Sequence, residues 1–135
     1  GGLALYAITR EREIGVDLER IKTDFIEEGI ISQCLTPQEI AHFQMLSETE
    51  RVSFFFDCWT LKEVYLKASG DGFLIPPNQI ETSLLIEFPS NLVDSFEEIQ
   101  QPLFSLQKLP RIPGYKAALA VEGNNPQLKF WLYNN

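Results

Sequence analysis

The sequence predicts an α+β domain, a mostly antiparallel sheet with helices packed on one face. Two extended apolar segments open the chain, a helical block with two capping boxes follows, and several extended segments close it. With 135 residues, 44% of them hydrophobic, the chain can bury one core, so residues 1–135 read as a single domain.

Residues 3–8 (LALYAI) are apolar with one aromatic and read as a buried strand, and residues 9–13 (TRERE) as a charged turn. Residues 14–19 (IGVDLE) alternate with a period of two, so the two segments read as a hairpin. On that alternation Ile14, Val16 and Leu18 take the core face, while Gly15, Asp17 and Glu19 take the other. Residues 20–23 make a basic exit. Residues 24–33 read as a short helix with Asp24 as its cap and Gly29 as a weak point.

Thr36-Pro37-Gln38-Glu39 is a capping box with proline in the first turn, and it starts a helix running to about Leu46 with Ile40, Phe43 and Leu46 inward. Ser47-Glu48-Thr49-Glu50 repeats the box and starts a long central helix over 48–68. Ser69-Gly70-Asp71-Gly72 ends it, because glycine relieves the backbone there. Residues 73–79 hold two prolines and read as a loop. Residues 80–88 read as a strand, 89–101 as a polar excursion, and 103–109, 115–122 and 128–133 as three more strands. Gly123-Asn124-Asn125-Pro126 has turn chemistry.

A net charge of −8 argues against broad electrostatic binding to nucleic acid or to an anionic membrane. An anionic substrate would need a local cation, from a lysine or a metal. Cys34 and Cys58 lie far apart with no C-x-x-C spacing, as expected of reduced, partly buried thiols in a cytoplasmic protein. No apolar run approaches the roughly 20 residues of a membrane span, and no signal peptide is visible.

Two stretches carry chemistry. On the central helix, residues four apart stack, so Phe55, Trp59, Glu63 and Lys67 form one row: aromatic, carboxylate, ammonium. On the strand, Asp17 and Glu19 share a face, and Gly15 beside them leaves room for something bulky. Two close carboxylates repel unless a cation intervenes or water screens them. A hard cation such as Mg²⁺ takes carboxylate and phosphate oxygens. Taken alone, each stretch also fits a plainer reading: a solvated strand face, and a surface ion pair worth a few tenths of a kcal/mol.

Together the two stretches resemble the 4′-phosphopantetheinyl transferases. IGVDLERI matches that family's (V/I)-G-(V/I)-D-x-E element, and WTLKEVYLK matches its W-x-x-K-E-x-x-x-K element; their separation of about 45 residues also fits. Residues 3–8 look like the strand after the Ser-His-Ser segment of the larger, Sfp-type branch, and Gly-Tyr-Lys-Ala-Ala at 114–118 resembles a late strand of the same branch. The match covers nearly all of the chain.

The resemblance implies transfer of the phosphopantetheine arm of coenzyme A to a serine of an acyl- or peptidyl-carrier protein, with adenosine 3′,5′-bisphosphate leaving. It implies Asp17, Glu19 and Glu63 as Mg²⁺ ligands, Lys67 on the coenzyme A phosphates, Lys62 in support of that site, and Trp59 packing the helix and shaping the pocket. Glu63, or a water it orients, is the candidate base for the carrier serine. Carrier proteins in this family's reactions are usually acidic, so docking calls for a local basic or apolar patch. Arg10, Arg12, Arg20 and Lys22 cluster around the acidic strand, and residues 25–43 match the region that faces carrier proteins in relatives. His42, in that region, is assigned no role.

The chain departs from the Sfp-type pattern in supplying only one half. Sfp-type enzymes resemble two similar halves with coenzyme A between them, and the Ser-His segment and the basic residues used for the 3′-phosphate are absent here. The smaller AcpS-type branch has this length and forms trimers, but its D-x-E element sits nearer the amino terminus. The chain opens on Gly1-Gly2 without an initiator Met. These features predict the C-terminal half of a longer enzyme, with an exposed half-interface that a homodimer would cover. The alternative of a different class is a non-catalytic module that holds a carrier protein or a metal.

Overall fold

A computed structural model describes residues 2–24, 26–70, 74–82, 104–123 and 126–133. Ser47 begins the element on which the rest packs. Its hydroxyl accepts from Glu50 N while the Glu50 carboxylate accepts from Ser47 N at 3.0 Å, closing the expected capping box on helix α3, Glu48–Ser69. Such a cap is worth about 1 kcal/mol. Gly70 ends the helix at φ 73°, the left-handed conformation glycine adopts without strain.

Helix α1 spans Glu28–Cys34 and helix α2 spans Pro37–Met45, with the Thr36–Glu39 capping box formed as expected. The first helix starts later than its sequence suggests. Asp24 lies in a turn, and Glu27 stands at the cap without a side-chain bond. Phe43, Cys34 and Leu35 pack on Phe54, Phe55, Phe56 and Cys58 of α3, with Ile40 and Leu46 at the margin. Three consecutive phenylalanines can all be buried because α3 is enclosed: helices on one side, sheet on the other.

The sheet has strands β1 (Ile14–Arg20), β2 (Phe104–Lys108) and β3 (Tyr115–Glu122), in the order β1-β3-β2 with both pairings antiparallel. Leu61, Val64 and Ala68 of α3 lie on Ala118 and Ala120, with Phe104 and Leu106 alongside. Small residues let helix and sheet approach closely. Gly15 is the tightest point: a Cβ there would land on the Val64 carbonyl oxygen and come within 2.9 Å of Ala68 N.

Two expected strands, 3–8 and 128–133, are not formed among the described residues. Residues 14–20 pair with 115–121 rather than with 3–8, and residues 3–8 form no ladder although 3–6 run beside Val16 and Leu18. Residues 128–133 also form no strand among the described residues. Tyr6, Ile8, Trp131, Leu132 and Tyr133 are consequently exposed. Residues 80–82 are not extended into a strand, and the rest of 80–88 and all of 89–101 lie outside the described residues. The loop at 73–79 holds one short 3₁₀ turn, Pro77–Gln79.

Candidate active site

The acidic strand faces the helix. Asp17 and Gly15 are buried on the α3 side of β1, opposite Ala118 and Ala120, while Ile14, Val16 and Leu18 are half-buried on the reverse face. This corrects the expectation that the apolar residues take the core face. The bulky object for which Gly15 leaves room is the backbone of α3.

The row on α3 meets this face residue by residue. Trp59 donates its indole N–H to Glu19 Oε1 at 3.2 Å. Lys67 donates to Asp17 Oδ1 at 2.8 Å and to the Val16 carbonyl at 3.2 Å. Glu63 stands between them, four residues from each. Burial raises the Glu63 carboxyl above its ordinary value, the charge on Asp17 raises it further, Lys67 opposes, and Glu19 adds a small upward push. Glu19 is also raised, first by burial, with the Trp59 bond opposing and nearby Asp17 adding to the rise. Three carboxylates on two elements thus feel one another's charge.

Among the described residues, Asp17 Oδ2 is the buried side-chain oxygen with no hydrogen-bond partner. A buried carboxylate oxygen without a donor is costly, and a hard cation satisfies it. No three His, Cys, Asp or Glu side chains among the described residues stand in ligating positions as a set. Asp17 and Lys67 border an open hollow whose other walls are Val16, Leu18 and residues 3–6, giving solvent a route to the site.

Lys62 is elsewhere. It is fully buried, donating to Glu39 Oε2 at 2.5 Å and to the Cys34 carbonyl at 2.5 Å. Where the sequence suggested support of a coenzyme A site, a 100° step from Glu63 turns Lys62 into the helical layer. Its partner Glu39 also accepts from Thr36 N, Thr82 N and Thr82 Oγ1, tying α2 and residue 82 to α3. The sequence did carry a hint of this pair. Lys62 falls among buried positions, with Cys58 and Leu66 four residues away on either side, and a lysine there calls for an interior anion.

A second cluster was not anticipated. Asp57, buried on α3, pairs with Lys116 at 3.1 Å and with Lys108 at 3.9 Å. His42 packs on the Phe54 ring with centroids 4.8 Å apart. Arg10, Arg12, Arg20 and Lys22 are exposed at the two ends of β1. Cys34 and Cys58 are both free and buried. No helix among the described residues is long and apolar enough to cross a membrane.

Comparison with known proteins bears on this arrangement. Residues 13–120 match the model of the 4′-phosphopantetheinyl transferase superfamily. The chain is 35% identical over 131 residues to the 4′-phosphopantetheinyl transferase HetI of Nostoc sp., covering 97% of this chain and 52% of that protein. It therefore spans about half the length of that relative. In fold it resembles the holo-(acyl-carrier-protein) synthase of Thermotoga maritima, with a TM-score of 0.56 and 17% identity over 84% of this chain and 64% of that one. It also resembles the ACPS–CoA complex of Chronobacterium ammoniagenes, with a TM-score of 0.52 and 18% identity over 87% of this chain and all of that one.

Proposed function

The chain belongs to the 4′-phosphopantetheinyl transferase superfamily, and from that premise we propose that it transfers the 4′-phosphopantetheine arm of coenzyme A to a serine hydroxyl of an apo carrier protein. The observation that carries the proposal is the facing of Asp17 and Glu19 on β1 by Glu63 and Lys67 on α3, with one Asp17 oxygen buried and unpartnered. The orphaned oxygen and the carboxylate chemistry of Asp17, Glu19 and Glu63 suit Mg²⁺, which would have to draw the three together, since they do not stand as a ligand set in this structure. A divalent cation there would neutralise pyrophosphate oxygens and the departing phosphate.

The chain's own groups supply the rest. Lys67, about half exposed, can reach a phosphate at the mouth of the hollow. Trp59 holds the Glu19 carboxylate in place through its indole N–H. Glu63, whose proton affinity is raised by burial and by Asp17, is the group best suited to take the proton of the attacking serine, directly or through a water. The new bond joins the serine oxygen to the phosphorus that carries the pantetheine arm. The bond to the adenosine 3′,5′-bisphosphate breaks, and that group leaves with the electron pair. The exposed arginines and lysine around β1 offer a surface for an acidic carrier protein.

The test is transfer from labelled coenzyme A to an apo acyl- or peptidyl-carrier protein with Mg²⁺. Transfer that disappears in Asp17→Ala and Glu63→Ala supports the proposal. Carrier binding without transfer by the unaltered chain overturns it in favour of a binding module.

A further inference from the structure

We propose that Lys67 is the resident counter-ion of the acidic face, that a divalent cation displaces it from Asp17, and that the released ammonium then serves the anionic co-substrate. This rests on the metal reading above. Lys67 Nζ sits 2.8 Å from Asp17 Oδ1 and 3.2 Å from the Val16 carbonyl, so both of its anchors belong to β1. Among the described residues it is the cation paired with this face, which also carries Glu19 and Glu63, both of which feel its charge. Asp17 is thus half served: one oxygen holds an ammonium and the other holds nothing.

A hard cation held by Asp17 and Glu63 would meet the ammonium that Lys67 now presents to Asp17 from the next turn of α3. Two cations on the same carboxylate repel each other. Lys67 is the one able to move. Its side chain is 48% exposed against 9% for Asp17, and a half-exposed ion pair is readily exchanged. The hollow beside Asp17 and Lys67 gives the ammonium somewhere to go. One side chain would then couple metal binding to phosphate binding, because the cation must arrive before the lysine is free.

The experiment is lysine acetylation of the whole chain by sulfosuccinimidyl acetate at fixed ionic strength, with and without Mg²⁺ and without coenzyme A. It is read by mass spectrometry of the peptide containing Lys67, with exposed Lys129 as internal reference. Mg²⁺ should speed Lys67 labelling by about threefold or more, the scale expected on release of such a pair, while Lys129 does not change. Asp17→Asn should show the faster rate already and not respond to Mg²⁺. Isothermal titration of the same sample with Mg²⁺ separates the failures. If Mg²⁺ binds but Lys67 labels at the same or a lower rate, a cation on Oδ2 has left the ion pair intact and the exchange is overturned alone. If no Mg²⁺ binds, the metal reading and the exchange are overturned together.

Discussion

Gly15 lies directly against the α3 backbone at Ala68, so close that a methyl group at residue 15 would stand 2.9 Å from the Ala68 nitrogen. Neither atom is the end of a flexible side chain, so strand and helix would have to part. Gly15→Ala should destabilise the fold by about 1–3 kcal/mol, the usual range for overpacking. It should also reduce transfer more than the lost stability explains, because the same shift moves Asp17 away from Glu63. Thermal melts and transfer assays below the melting temperature would check both.

Lys62 and Glu39 form a fully buried ion pair. Lys62→Met leaves the Glu39 charge in the interior with only its threonine donors, and breaking such a pair costs about 3–5 kcal/mol. The expected result is a large fall in melting temperature with an unchanged KM for coenzyme A in the folded fraction. A selective rise in that KM would show that Lys62 reaches the co-substrate after all.

Trp59→Phe keeps most of the packing and removes the bond to Glu19. Groups that orient metal ligands commonly matter by about tenfold in metal affinity, and that is the weakening expected for Mg²⁺ by titration calorimetry. Stability should fall by about 1 kcal/mol or less, since the indole is partly exposed.

The carboxyl of Glu63 is raised above its ordinary 4.5 in the folded chain. The protonated form is therefore the one the fold favours. The associated stability is fully present below pH 4.5 and is lost as pH rises through the raised value. Without divalent cations, Glu63→Gln should lose that descent and melt higher than the parent chain at neutral pH, while transferring nothing. A variant with the parent's pH profile would show that Glu63 is not strained by its neighbours.

What could be read from the sequence was what short-range physics decides. The boxes at Thr36 and Ser47, the stop at Gly70 and the row Trp59, Glu63, Lys67 follow from spacing alone, and all lie where expected. The D-x-E alternation was legible too, but its orientation was not. Carboxylates suggest an outward face, and only the small residues Ala118 and Ala120, more than a hundred positions later, reveal that α3 covers that side. Residues 3–8 and 128–133 have strand composition without strand partners, because apolar character cannot say which edge is free. Glu39 read as a cap and proved also to be the interior partner of Lys62, a pairing across three elements that no local pattern encodes.

Asp17 is paired with Ala118 in the β1–β3 ladder, a separation of roughly 100 positions. A ribosome adding about 5–20 residues per second needs on the order of 5–20 s to cover that interval. Through all of it the acidic strand waits without its neighbour while α3 has already been made. The acidic face is consequently completed late in synthesis, once β3 has been made and can close its ladder with β1.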